Sequence, residues 1–374
     1  MKKILCIVRT YCAPDVRVEK ITKSLTEYDY DVTTFCLWDK SLPRQQVWDG
    51  GKIERIVHSP IKNKSMVNKV FSIFYFFFIT LFKGRLFDAV HCNDLDMLPI
   101  GVFLKWLSFG RIKVIYDAHE YETERFHHDG LVKNIAKIVE RLFIKHADAV
   151  ITVSDAIADE YVRLYDIEKP TVLLNCPFFK KVNQSNVLRD NLNISDEGIL
   201  FLYQGGLFPN RGIEMIVEAF EAVTDHKKNI VFMGFGQLEG YIKEKAEECP
   251  HIHFHEAVST DILHDYTSSA DVGILYYENT CLNHYYCSPN KLFEYIMAGL
   301  PIIASNLYEM KRIITKNDIG FVTEDNNAQS LQKVVEGYDV TAIEKQRNGV
   351  HVLRDVYNWD AQKDYLLKTY GDII

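Results

Sequence analysis

Short apolar segments alternate with helix-length segments along nearly the whole chain, and this alternation limits the fold more than any other feature. Strands are expected near 3–8, 31–37, 52–57, 87–92, 112–116, 148–153 and 171–174, with helices near 16–28, 65–83, 96–108, 131–146 and 155–164 between them. Apolar strands separated by helices of this length build parallel sheets covered on both faces. Residues 176–198 break the rhythm with Pro177, Asn183, Gln184, Ser185 and Asn186, and read as an interdomain linker. Strands resume near 199–204, 229–233, 251–254, 271–275 and 301–304. At 374 residues the chain can hold two domains, 1–175 and 199–356, each with its own core. Two doubly wound α/β domains facing across a cleft are expected, with ligands beyond the carboxyl ends of the strands.

Composition removes several classes. A net charge of −8 gives no footprint for a nucleic-acid partner. The eight cysteines are scattered and form no C-x-x-C pair, which points to free thiols in a reducing compartment and no zinc site. Met1-Lys2-Lys3 precedes only five apolar residues before Arg9, too few for a signal peptide, so the segment reads as a first strand and the expected location is cytoplasmic.

Chemistry concentrates in Ser288-Pro289-Asn290-Lys291-Leu292-Phe293-Glu294 and the residues following, up to Pro301. Ser288 reads as a helix N-cap, Pro289 as the first helical residue and Gly299 as the stop. Leu292, Phe293, Ile296 and Met297 make one face; Asn290, Lys291 and Glu294 fall on another. A helix N-terminus carrying Lys291 suits an anion, and Glu294 suits sugar hydroxyls, although Lys291 and Glu294 also have the spacing of a surface ion pair. Upstream, Gly205-Gly206 follows a strand and Arg211 opens a helix, a pairing that lets backbone and guanidinium reach phosphate oxygens.

The segments 205–212 and 288–301 resemble the donor-site motifs of retaining GT-B glycosyltransferases of family 4 (group 1), and the resemblance runs over almost the whole chain. It implies a GT-B fold and transfer of a hexose-type sugar from a UDP- or GDP-linked nucleotide sugar to a saccharide or lipid-linked acceptor. Bacterial surface polysaccharide or glycoconjugate synthesis is the implied setting. It further implies that Arg211 and Lys291 neutralise the donor diphosphate and that Glu294 binds the ribose. Gly205, Gly206, Gly234, Gly236, Ser288, Pro289 and Asn290 would shape the donor site, and Glu256 and Val258 would lie by the nucleobase. Two positions depart from the family pattern: Gly206 stands where an arginine is usual, and Tyr286 where the first glutamate of E-x7-E is usual. No metal and no cofactor is expected, since fixed cations can carry the charge.

In the first half, Asn93-Asp94-Leu95-Asp96 and Tyr116-Asp117-Ala118-His119-Glu120 resemble the H-D-x-D and Y-D-x-H-E strings of bacterial members, with Asn93 in place of histidine. The resemblance places His119 beside the transferred sugar and Asp94, Asp96 and Glu120 on the acceptor side. Arg17, in an Asp-x-Arg-Val string, would face an anionic group of donor or acceptor. The helix at 357–374 resembles the final family helix that returns to the first domain. A nucleotide-sugar epimerase of the same fold and a catalytically silent partner subunit are the alternatives.

Val70 to Phe82 is apolar all round. Thirteen residues span only about 20 Å as a helix, short of a bilayer core. Two readings stand: a helix packed on the first domain's sheet, or one seated in the inner membrane face by Lys62, Lys64, Lys69, Lys83 and Arg85.

Overall fold

The computed structural model describes residues 1–12, 15–57, 66–125, 130–182 and 185–374, with the side chains of 57 and 66–73 excepted. The chain divides into two compact units, Met1–Leu174 with Gln362–Ile374, and Asn175–Ala361.

The first unit contains strands β1 (Lys3–Ile7), β2 (Asp31–Trp38), β3 (Gln45–Trp48), β4 (Gly51–Val57), β5 (Ala89–Asn93), β6 (Lys113–Ala118), β7 (Ala149–Thr152) and β8 (Thr171–Val172). They form one sheet of order β3-β4-β2-β1-β5-β6-β7-β8, parallel except at the β3–β4 pair. Its helices are α1 (Val16–Glu27), α2 (Met66–Gly84), α3 (Leu98–Leu107), α4 (Gly130–Phe143) and α5 (Asp155–Tyr165). β1 is buried from Ile4 onward, as the central position requires. β3 has no counterpart in the apolar pattern, because an antiparallel edge strand with Gln45, Gln46 and Val47 exposed needs no apolar run.

Where its side chains are described, the helix at 70–82 carries apolar residues on its inner and its outer face. Phe76 and Thr80 face the interior, whereas Phe74, Phe78 and Phe82 are exposed. Lys62 and Lys64, and the side chain of Lys69, lie outside the described residues. Among the described residues no helix is long and apolar enough to cross a membrane.

The second unit begins with α6 (Val187–Leu192), followed by β9 (Ile199–Gly206), α7 (Ile213–Glu221), β10 (Lys228–Phe235), α8 (Glu239–Glu248), β11 (Ile252–Glu256) and α9 (Leu263–Thr267). Then come β12 (Val272–Leu275), α10 (Leu282–Tyr286), α11 (Asn290–Ala298), β13 (Ile302–Ala304), α12 (Tyr308–Asn317), β14 (Gly320–Val322), α13 (Ala328–Gly337) and α14 (Val340–Leu353). The all-parallel sheet runs β11-β10-β9-β12-β13-β14. The last helix, α15 (Trp359–Gly371), has residues from Gln362 onward in the first unit.

The stretch 176–198 is not a free linker. Leu188 is fully buried, its N–H bonds to Ser269 Oγ, and Arg189 pairs with Asp271 at 2.7 Å, so these residues belong to the second unit. Polar composition concealed a short helix in which Leu188 and Arg189 are the buried residues.

Candidate active site

In the second unit β9 and β10 end side by side, Gly205 opposite Gly234 and Gly206 opposite Phe235. A Cβ at Gly234 would come within 1.9 Å of the Gly205 carbonyl oxygen, so only glycine lets these ends close together. Gly205 has φ +112°, and a Cβ there would stand 2.7 Å from Lys291 Cε. Gly205 therefore makes room for the Lys291 side chain as well as exposing backbone.

Helix α11 carries Lys291 to that place. Its cap is Pro289, extended at φ −70° and ψ 148°, whose ring offers no capping hydrogen bond. This corrects the reading of Ser288 as cap and Pro289 as first helical residue; the ring's fixed φ suits the extended cap equally well. Ser288 is buried, and Asn290 accepts a hydrogen bond from Asn175 at 3.0 Å. Gly299 ends the helix in the left-handed region at φ +80°.

Lys291 is only 8% exposed, and its Nζ has no hydrogen-bond partner among the described residues. Nζ lies 3.8 Å from the Tyr203 ring centre and 5.6 Å from that of Tyr277. Burial lowers its pKa to about 7, with the Arg211 charge adding to the effect and Glu294 opposing it. Arg211 Nη1 donates to Tyr277 Oη at 2.6 Å, and its guanidinium stands 5.0 Å over the same ring. Glu294 accepts a 2.6 Å hydrogen bond from Gln204, whose own oxygen accepts from Thr267 at 2.7 Å. Two cations thus converge where β9 and β12 end, backed by tyrosine faces, with an oriented carboxylate one helical turn away. Such an arrangement is chemically suited to a multiply charged anion bearing hydroxyl groups.

The first unit builds a different centre. Asp117, fully buried at the end of β6, takes both Arg17 Nε (2.9 Å) and Nη2 (2.6 Å), while Arg17 Nη1 donates to the Leu173 carbonyl at 3.0 Å. The Arg17 expectation is therefore overturned: its guanidinium is used within the fold and is not free for a substrate anion. His119 Nε2 lies between the acceptors Asn93 Oδ1 (3.0 Å) and Asp117 (3.3 Å), and its Nδ1 is 3.6 Å from Asp94. Burial works against the imidazolium, but Asp94 and Asp117 outweigh it and raise its pKa. Asn93 is itself fixed by donating to the Ile7 carbonyl at 3.0 Å. Asp94 also meets Arg125, which reaches Glu120 at 3.0 Å, and Asp96 pairs with Arg9 at 2.6 Å.

Residues 15–176 match the family model described as Glycosyltransferase Family 4, and residues 198–337 match that described as Glycosyl transferases group 1. The chain belongs to the GT-B glycosyltransferases of the group 1, family 4 type. A stretch of 233 residues is 21% identical to glycogen synthase of Fusobacterium nucleatum subsp. nucleatum, spanning 49% of each chain; the match thus reaches about half the length of that curated relative. Among solved structures, sucrose-phosphate synthase from Thermosynechococcus elongatus has a TM-score of 0.77 at 16% identity, over 100% of this chain and 99% of that one. Anabaena HepE in complex with UDP-glucose has a TM-score of 0.74 at 13% identity, over 100% of both. The lipopolysaccharide-biosynthesis glycosyltransferase WaaG has a TM-score of 0.70 at 15% identity, over 97% of this chain and 98% of that one.

In this glycosyltransferase the structure gathers Gly205, Arg211, Lys291 and Glu294 within one unit, and gathers Arg17, Asp94 and His119 within the other. Gly236 follows β10, and Glu256, exposed, ends β11; both lie at the carboxyl edge of the sheet, with Val258 two residues on. Tyr286 ends α10 and packs on Tyr285 and Tyr308, with ring centres 5.1 and 5.7 Å away. Tyr203, Tyr277, Gln204 and Thr267 were missed from sequence. Tyr203 reads there as a strand residue, and only the fold sets it against Lys291.

Proposed function

We propose that the protein is a retaining, metal-independent hexosyltransferase, moving a hexose from a UDP- or GDP-linked donor to a saccharide or lipid-linked acceptor. The setting is bacterial surface polysaccharide or glycoconjugate synthesis, at the cytoplasmic face of the membrane. The observation that carries the reading is Lys291, buried and without a hydrogen-bond partner among the described residues, beside a second cation. A donor diphosphate supplies the charge that this pair lacks. In the proposed reaction the leaving diphosphate accumulates charge as the glycosidic bond breaks, and Arg211, Lys291 and the backbone N–H groups at the start of α11 stabilise it. The donor phosphate takes the acceptor proton on the same face, so the sugar keeps its anomeric configuration. Glu294, held by Gln204, takes the ribose hydroxyls. His119 is the first unit's candidate for contact with the transferred sugar, and Asp94, Asp96 and Glu120 line the acceptor side. The fixed cations are the support for metal independence, and the UDP-glucose bound by HepE favours the UDP series.

Calorimetric titration with UDP, GDP and their sugar conjugates, with and without EDTA, tests this reading. Micromolar binding of one series, unchanged by EDTA, is expected. Failure of a folded protein to bind any of them overturns it.

The protonation of Lys291 gives a second expected result. With a pKa near 7, the free site is mostly deprotonated at pH 8, and a bound diphosphate restores the ammonium. Titrations of a nucleotide sugar at pH 8 in HEPES and in Tris should show uptake of close to one proton per site. Affinity should fall as pH rises from 7 to 9. Enthalpies that do not depend on the buffer would place the ligand away from Lys291.

A further inference from the structure

We propose that the Tyr277 hydroxyl is a third contact for the donor diphosphate, donating a hydrogen bond to a phosphate oxygen beside Arg211 and Lys291. The assignment rests on the diphosphate reading above and extends it to a group that no local pattern marks.

Two tyrosines line the site, and they use their hydroxyls differently. The Tyr203 hydroxyl donates to the Gly206 carbonyl at 3.0 Å, so what Tyr203 offers the site is its ring face against Lys291. Tyr277 lies two residues beyond β12, is 4% exposed, and accepts from Arg211 Nη1 at 2.6 Å. A phenol can accept and donate at once. The Tyr277 proton has no acceptor among the described residues. A buried donor left unmatched is costly, and this site holds two, since Lys291 Nζ also lacks a partner among them.

The phenol is held in place from several directions. The Tyr277 N–H donates to Ser305 Oγ at 3.1 Å, and the His284 ring packs against the Tyr277 ring with centres 5.5 Å apart. Arg211 already donates to the phenol oxygen, so the proton cannot be directed at it. Lys291 Nζ stands 5.6 Å from the ring centre and makes no bond to the hydroxyl. Burial pushes the phenol up to about 12 against the opposing Arg211 charge, so Tyr277 stays a neutral donor and is no counter-ion for the two cations. A residue needed only to fix Arg211 could be a carboxylate, but a carboxylate would cancel the charge on which the site depends. A phenol fixes the guanidinium without neutralising it and keeps a proton for the ligand. The bond from Arg211 also polarises the O–H, which makes it a better donor to an anion. As charge gathers on the leaving diphosphate this contact strengthens, so it favours departure as well as binding.

Calorimetric titration of the full chain with UDP and with GDP tests the assignment in the wild type, Tyr277→Phe, Arg211→Met and the double variant. Phenylalanine keeps the ring and removes only the hydroxyl. In Tyr277→Phe, affinity for the nucleoside diphosphate that the wild type binds should fall roughly tenfold or more, with circular dichroism unchanged. Competition by the bare nucleoside, which has no phosphate, should be the same for both proteins. A loss of about fivefold or more should persist when Tyr277→Phe is added to Arg211→Met. Unaltered diphosphate binding by Tyr277→Phe overturns the proposal. So does a loss that disappears in the Arg211→Met background, which makes Tyr277 a positioning residue for the guanidinium. Equal losses for nucleoside and diphosphate also overturn it. A folded wild type that binds neither UDP nor GDP overturns the diphosphate reading and this assignment together, a result distinct from the other three.

Discussion

A Lys291→Met variant should unfold at higher temperature than the wild type at pH 7 and should bind the nucleotide sugar far more weakly. A lysine whose pKa is lowered from 10.5 to about 7 is charged in the fold at a cost. At about 1.4 kcal/mol per pKa unit, that cost is about 4 kcal/mol at pH 7. Between the two pKa values the unfolded chain binds more protons than the folded one, so wild-type stability rises with pH and the penalty is full only below about pH 7. Methionine keeps the length and packing against Tyr203 without the charge, and gives up a cation–π contact of about 1–2 kcal/mol. A net gain of about 2–3 kcal/mol remains, which corresponds to several degrees for a unit of this size. Donor affinity moves the other way, because a charge-assisted hydrogen bond worth about 1.5–3 kcal/mol is lost, roughly a 10- to 150-fold weakening. Scanning calorimetry at pH 7 and pH 10 with donor titration measures both. The stability difference should shrink at the higher pH. A variant that is less stable and binds donor normally would refute the assignment of Lys291 to the diphosphate.

That variant also shows which part of the site was legible in the sequence. Arg211, Lys291 and Glu294 were readable because strand, glycine pair and helix start are local patterns, and the doubly wound sheets follow from the same alternation of apolar runs. Tyr203 and Tyr277 were not readable as site residues, since their role depends on β9 and β12 being neighbours in the sheet although far apart in sequence. Arg17 was misread for a related reason. On a helix taken alone its guanidinium faces outward to any anion, but β1 pairs with β5 and β5 with β6, and this order brings Asp117 to it across one hundred residues. Helix α4 shows the remaining limit. Its spacing announces an amphipathic helix, but the buried Glu140 determines which side faces in, and the three tyrosines that donate to it, Tyr116, Tyr161 and Tyr165, come from β6 and α5.

Asp117→Asn should destabilise the first unit by about 3–5 kcal/mol, the cost of leaving a buried charge without its partner. Arg17 is 5% exposed and its two closest bonds to Asp117 are to a carboxylate; an amide can accept at one oxygen only. Removing the cation as well, in Arg17→Met with Asp117→Asn, leaves no unpaired charge, so the double variant should be more stable than Asp117→Asn alone. Denaturant unfolding of the three proteins measures this order. The pH dependence has two separate parts. Burial opposes the Asp117 carboxylate, but Arg17 and His119 hold its pKa well below the ordinary value, so its contribution is present above the unfolded value and is lost as pH falls toward the folded one. His119 is raised, so its contribution is complete below its unfolded value near 6.5 and is lost as pH rises through the folded one. Removing the Asp117 charge leaves Asp94 as the principal anion beside the imidazole, and the His119 titration followed by NMR should move to lower pH. A His119 titration unchanged in the folded Asp117→Asn variant would mean that Asp117 only ties Arg17 into the core. A shift would establish that the Arg17–Asp117 pair, although unavailable to substrate, sets the charge of the histidine assigned to the transferred sugar.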